Sequence, residues 1–140
     1  MMHHSQYVEQ LIDNGHLKLT KKLNDMLTYH DSCYLGRYNA VYDAPREVIA
    51  DTGINIMEMA RSREKGFCCG GGGAQVWFES HQPNPVNEIR LEEAMGTGAD
   101  TIGTACPFCT IMLSSAAQSK GVSEQVAVKD FALLVAEALE

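Results

Sequence analysis

Five cysteines stand in three groups: Cys33 alone, the adjacent pair Cys68 and Cys69 after 34 intervening residues, and Cys106 with Cys109 after 36 more. If these thiols act together, three remote segments must converge, which excludes any fold that leaves them on separate faces. Soft thiolates gathered from separate loops suit zinc or an iron–sulfur cluster. They suit magnesium or calcium poorly, because those hard ions prefer oxygen ligands. The odd number also spoils complete internal disulfide pairing, so metal or redox chemistry is favoured over a disulfide framework.

At 140 residues the chain is the size of one domain, long enough to bury roughly two-thirds of its unfolded surface without staples. The expected organisation is a single cysteine-rich domain over 1–140, with 1–24 a helical N-terminal appendage and 25–140 the core. A composition of 45% hydrophobic and 21% charged residues excludes disordered and fibrous classes. No apolar stretch approaches the roughly 18 residues of a membrane span, and no secretory leader pattern opens the sequence. A cytoplasmic chain is therefore expected, with association at the cytoplasmic face of a membrane complex left open. The net charge of −7 and pI near 5.1 oppose binding to phosphate backbones, which depends on clustered Lys and Arg. Arg61, Arg63 and Lys65 do cluster, but Glu64 among them marks a solvated turn rather than a binding patch.

Hydrophobic patterning predicts alternating strands and helices. A short helix around Tyr7 to Ile12 stops at Asn14-Gly15. A β-favouring run within Asp25 to His30 ends just before Cys33. Pro45, as the first helical residue, opens a helix that stops at Gly53, and Ile54 to Met59 alternates as a second strand. Pro85 to Met95 is helical, and Thr101 to Ala105 forms a strand that delivers Cys106. Pro107 starts the next helix, which runs to Gly121. Val126 to Val128 is a fourth strand, and Asp130 caps a C-terminal helix. This order predicts an α/β fold, a three-layer domain with a mainly parallel sheet of about four strands. Ligands of such sheets collect beyond the strands' carboxyl ends, where Cys33 and Cys106 are placed and where the Cys68-Cys69 loop has only to fold over.

Cys106-Pro107-Phe108-Cys109 sets two sulfurs at a helix start, where open N–H groups and the helix dipole favour thiolates. The motif also suits a redox-active disulfide. A tetrahedral zinc site takes four ligands and leaves one cysteine unused, whereas a polynuclear cluster engages all five. The Cys-X2-Cys-X2-Cys run of bacterial ferredoxins is absent. Gly70-Gly71-Gly72-Gly73 follows the cysteine pair, and residues without Cβ let backbone N–H groups approach sulfur. Gly70 and Gly71 therefore join the candidate cofactor-binding set. His30 and Asp31, beside Cys33, are candidates for hydrogen-bonding a cluster sulfur or relaying a proton, against a plain local structural role. Tyr34, Tyr38, Tyr42 and Trp77 are assigned to packing.

Cys33-Tyr34-Leu35-Gly36-Arg37, Tyr42-Asp43-Ala44-Pro45-Arg46, Cys68-Cys69-Gly70 and Cys106-Pro107-Phe108-Cys109 resemble the CCG cysteine-rich domain. That domain occurs in heterodisulfide reductases and in the iron–sulfur subunits of glycolate, lactate and anaerobic glycerol-3-phosphate oxidoreductases. The stretch from Cys33 to Arg46 looks most like their C-terminal CCG domain. Ser32 departs from the pattern, standing where many relatives have proline, and only one CCG motif set is present. The resemblance implies a centre held by Cys33, Cys68, Cys69, Cys106 and Cys109. In the best-matched members this is a non-cubane [4Fe-4S] cluster, and in some relatives it is zinc. It implies electron transfer within an oxidoreductase alongside other Fe-S or flavoprotein domains or subunits, with self-association as a further partner mode. Two alternatives stand beside it: a zinc-stabilised interaction domain, and metal-free thiol–disulfide exchange by Cys106 and Cys109.

Overall fold

The computed structural model describes residues 1–139. Its elements are α1 (His4–Asp13), β1 (Leu27–Tyr29), α2 (Asp43–Asp51), α3 (Val86–Met95), β2 (Thr101–Thr104), α4 (Pro107–Ser119), β3 (Ala127–Asp130) and α5 (Phe131–Leu139). Single 3-10 turns lie at Arg63–Lys65 and Gln75–Trp77. The strands form one parallel sheet in the order β1-β2-β3, with Leu27 opposite Thr101 and Thr101 opposite Ala127.

Strand alternation divides the core into two layers around this sheet. Leu27 and Tyr29 point to one face, where they pack with Val48 and Ile49 of α2 and with Phe131, Leu134 and Ala138 of α5. Ile102 points to the other, against Leu91 and Ala94 of α3 and Leu113 and Ala116 of α4. Each fully buried leucine or isoleucine contributes about 1.5–3 kcal/mol relative to exposure. The helix α1 joins the first layer through Val8 and Ile12, and the His4 ring lies 4.5 Å from that of Phe131. The α/β class and parallel sheet read from the sequence are thus present.

Two expectations need correction. The proposed strand Ile54 to Met59 reduces to one parallel bridge, Ile56 to Leu27, with Met57 N–H donating to the Leu27 carbonyl, so the sheet has three strands among the described residues. Pairing stops after Met57, and the next side chain, Glu58, is drawn off to Arg46. Pro45 is also not the first residue of its helix. The helix α2 begins at Asp43, placing Pro45 in the third position, where its missing N–H still falls within the unpaired first turn. Asp130 ends β3, yet its carboxylate accepts the Ala132 N–H at 3.0 Å and caps α5 as expected.

Candidate metal centre

All three cysteine groups meet at the carboxyl edge of the sheet. Cys33 lies in the turn after β1, and Cys106 directly precedes α4. A narrow cleft is lined by Cys33, Cys68, Cys69 and Cys109, with His30 and Asp31 from the end of β1 and Arg37 and Arg63 at its rim. Cys69 and Cys109 are buried, while Cys33, Cys68 and Cys106 are half-buried free thiols. One ligand atom each from His30, Cys69 and Cys109 lie within 4.8 Å of one another. The free space in the cleft is about 10 Å³, room for one water, so the thiols stand against each other.

Each loop is held by identifiable contacts. Asp31 accepts two hydrogen bonds from Arg46, at 2.7 and 2.8 Å, and one from the Arg63 N–H at 2.7 Å. Arg46 also reaches Glu58 at 2.6 Å and lies over the Tyr29 ring. The loop carrying Cys68 is fastened on two sides. Arg37 donates to the Gly66 carbonyl at 2.9 Å, and the Arg61 guanidinium lies 3.9 Å from the centroid of Phe67. Arg61 in turn pairs with Glu93 on α3 at 2.8 Å. Arg61 and Arg63, expected in a solvated turn, instead stitch the cysteine loop to the core through Glu93, Phe67 and Asp31. At the start of α4, Thr110 bonds both the Thr104 hydroxyl and the Cys106 carbonyl, fixing the helix's first turn to β2.

The glycine run works through its first two members. Gly70 has φ +86°, and its N–H donates to the Cys68 sulfur at 3.2 Å. A Cβ at Gly70 would stand 3.2 Å from the Val86 Cβ and 3.3 Å from the Asn87 nitrogen, and one at Gly71 would stand 3.6 Å from the Cys69 sulfur. Gly70→Ala is expected to destabilise the fold by about 1 kcal/mol or more, because alanine is strained at positive φ. A lowered urea midpoint with unchanged slope would show it; an unchanged midpoint would mean the loop absorbs the methyl group.

The thiols are electrically unequal. Cys109 is pushed far up by its hydrogen bonds to Cys106 and Cys69 and by burial, so in the metal-free protein it is the thiol that keeps its proton. Cys69 is driven down, first by the Cys109 hydrogen bond and then, against the cost of burial, by His30 and the Gly71 backbone. Cys106 falls to about 6, first through the Cys109 thiol and then, also against burial, through the backbone of Cys109 and Phe108. Cys33 moves up through burial and the nearby sulfurs Cys68 and Cys69. A depressed thiol is thiolate above its pKa and loses reactivity as pH falls through it. Half-buried Cys106 is therefore expected to alkylate in the metal-free protein with a half-maximal rate near pH 6, against about 8.5 for an ordinary cysteine. Peptide mapping after timed iodoacetamide labelling reads this site by site, and a midpoint above pH 8 would refute it.

The sequence profile of the cysteine-rich CCG family matches residues 27–114, from β1 into α4. The chain belongs to the CCG cysteine-rich domain family. A probable iron-sulfur-binding oxidoreductase, FadF, of Bacillus subtilis is 41% identical over 98% of this chain and 20% of its own length. The EtfAB:quinone oxidoreductase of Syntrophomonas wolfei is 35% identical over 99% of this chain and 20% of its own. One subunit of the dihydromethanophenazine:CoB–CoM heterodisulfide reductase of Methanosarcina barkeri is 37% identical over 99% and 34%, respectively. The chain therefore spans about a fifth to a third of the length of these curated relatives.

Within this CCG domain the residues least visible in sequence are charged. Arg46 and Arg90 are 7% and 0% exposed, and both hold the residues that precede Cys33. Arg90 did carry a signal, because it precedes Leu91 and stands four residues before Ala94 on the buried side of α3. A cation in phase with an apolar face calls for a buried partner. Tyr34 and Tyr38 stack on each other at 5.2 Å and are exposed, as is Trp77. Among the described residues, no helix is long and apolar enough to cross a membrane.

Proposed function

We propose that this chain is an iron–sulfur electron-transfer domain of a larger oxidoreductase, its centre held by Cys33, Cys68, Cys69, Cys106 and Cys109. The observation that carries the reading is the convergence of all three cysteine groups, with Gly70 N–H on the Cys68 sulfur, at one sheet edge. The donor set fits such a group: soft sulfurs, Cys69 and Cys106 already biased toward thiolate, backed by N–H groups and by cations at the rim. When bound, an iron–sulfur cluster accepts and releases single electrons. The residues of the chain hold it, set the charge around it through Arg37 and Arg63, and keep bulk water from Cys69 and Cys109. In line with the family resemblance, the cluster is a non-cubane [4Fe-4S] centre, and all five thiols serve it. The partners are other iron–sulfur or flavoprotein domains or subunits, as the relatives' names suggest, working at the cytoplasmic face of a membrane complex.

One observation favours a second reading. His30, Cys69 and Cys109 form a compact buried group of the kind that holds a single zinc ion. Anaerobic preparation followed by iron, acid-labile sulfide and zinc analysis, with electron paramagnetic resonance of oxidised and reduced protein, separates the two. Iron and sulfide in near-equal amounts with a redox-dependent signal support the proposal; stoichiometric zinc without sulfide would sink it. Cys33→Ser tests the third possibility, since thiol–disulfide exchange through Cys106 and Cys109 would survive it while a five-cysteine centre would not.

A further inference from the structure

Arg90 has no exposed surface, and its Nε–H donates to Nδ1 of His30 at 3.0 Å, with both side chains buried. The guanidinium is locked in that pose, because its Nη1 donates to the Arg61 carbonyl at 3.0 Å and to Glu93 at 2.9 Å. A guanidinium offers only N–H donors and cannot accept a hydrogen bond. His30 Nδ1 must therefore present its lone pair to Arg90, which leaves the ring hydrogen on Nε2.

This is the reverse of the arrangement around a metal-binding histidine, whose second nitrogen gives its N–H to a carboxylate or carbonyl and so frees the first to ligate. Here the second nitrogen faces a donor. A ring nitrogen of His30 lies within 4.8 Å of the sulfurs of both Cys69 and Cys109, and the interaction with His30 helps hold the Cys69 thiol down. A ring nitrogen that carries a hydrogen has no lone pair to give a metal, but it is a good donor to a thiolate or to metal-bound sulfur.

We infer that His30, with its tautomer fixed by Arg90, is an N–H donor to the Cys69 sulfur rather than a ligand. The pair Arg90–His30 is a positioning device that raises the reduction potential of the bound centre. Hydrogen bonds to cluster sulfurs stabilise the more negative, reduced form. The redox consequence rests on the iron–sulfur reading above; the tautomer does not.

Two experiments test this. Long-range nitrogen–proton correlation spectra of ¹⁵N-labelled, reduced, metal-free protein should show His30 protonated on Nε2 alone; protonation on Nδ1 would overturn the inference. In anaerobically prepared protein, His30→Leu and His30→Gln should both keep the wild-type iron content. The midpoint potential should fall in H30L and return toward wild type in H30Q, whose amide retains an N–H. Loss of metal in both variants, or equal potentials in H30L and wild type, would overturn it. If the wild-type protein binds zinc without sulfide, the iron–sulfur reading falls, while the spectra of the metal-free wild-type chain still decide the tautomer.

Discussion

Cys109→Ser is expected to abolish iron and sulfide retention in anaerobically prepared protein while leaving the fold in place. Cys109 is 2% exposed, and it is the thiol to which both Cys69 and Cys106 are hydrogen-bonded. It is the sulfur common to the pair loop and the helix start. A serine hydroxyl is close in size, so packing against the sheet is little disturbed, but it is a hard, protonated oxygen and a poor iron ligand at neutral pH. Iron and sulfide per chain, read beside far-ultraviolet circular dichroism, give the result directly. Wild-type iron content in a folded C109S protein would remove Cys109 from the ligand set. Cys109→Ala gives a second readout in the metal-free state: with no side-chain donor at this position, Cys106 should lose its main source of depression, and its alkylation midpoint should climb from near 6 toward the ordinary thiol value of about 8.5.

The largest stability effect is expected at Arg46. Arg46→Met removes the partner of Asp31, whose side chain is 4% exposed, and leaves that carboxylate buried with only the Arg63 N–H to hold it. Removing one member of a buried ion pair typically costs about 3–5 kcal/mol, because the other stays desolvated without compensation. The loss of the Glu58 bond adds less, since Glu58 is 39% exposed and water takes over. Chemical denaturation at neutral pH should report the effect, and a change under about 1 kcal/mol would show that Asp31 relaxes into solvent. Arg46→Lys should recover only part of it, because an ammonium cannot reproduce the fork that meets both Asp31 oxygens. Asp31→Asn in the R46M background should recover more, by removing the stranded charge. Asp31 sits between His30 and Cys33, so these variants should also lower metal occupancy, linking stability to the site.

Both sites show how far the chain could be read without its structure. The cysteines, the glycines behind them and the helices starting near Pro45 and Pro107 were legible, because Gly, Pro and Cys carry constraints that act within a few residues. The strand expected at Ile54 to Met59 was not, since it depended on whether a sheet edge would accept it. Local alternation was satisfied, with Ile54 and Met59 facing opposite layers, but the segment meets the edge of β1 at one bridge only and Glu58 is drawn to Arg46. Arg46 was illegible as a buried residue for a related reason, and the phase of Arg90 with Leu91 and Ala94 marked its burial without naming its partners. A charged side chain is buried only when partners stand within reach: Glu93 lies one turn along α3 from Arg90, but Asp31 and the ring of His30 are brought to Arg46 and Arg90 by the segment after β1.

The sequence by itself determined the set of candidate soft donors and the alternating α/β order that carries it: five cysteines, three of them beside predicted strand ends or helix starts. Only the tertiary structure decided how those donors differ from one another. Which thiol keeps its proton, which way the His30 ring is protonated and what holds each loop follow from distances between segments as remote in sequence as those of His30 and Cys109, and Coulomb and hydrogen-bond energies depend on such distances rather than on position along the chain.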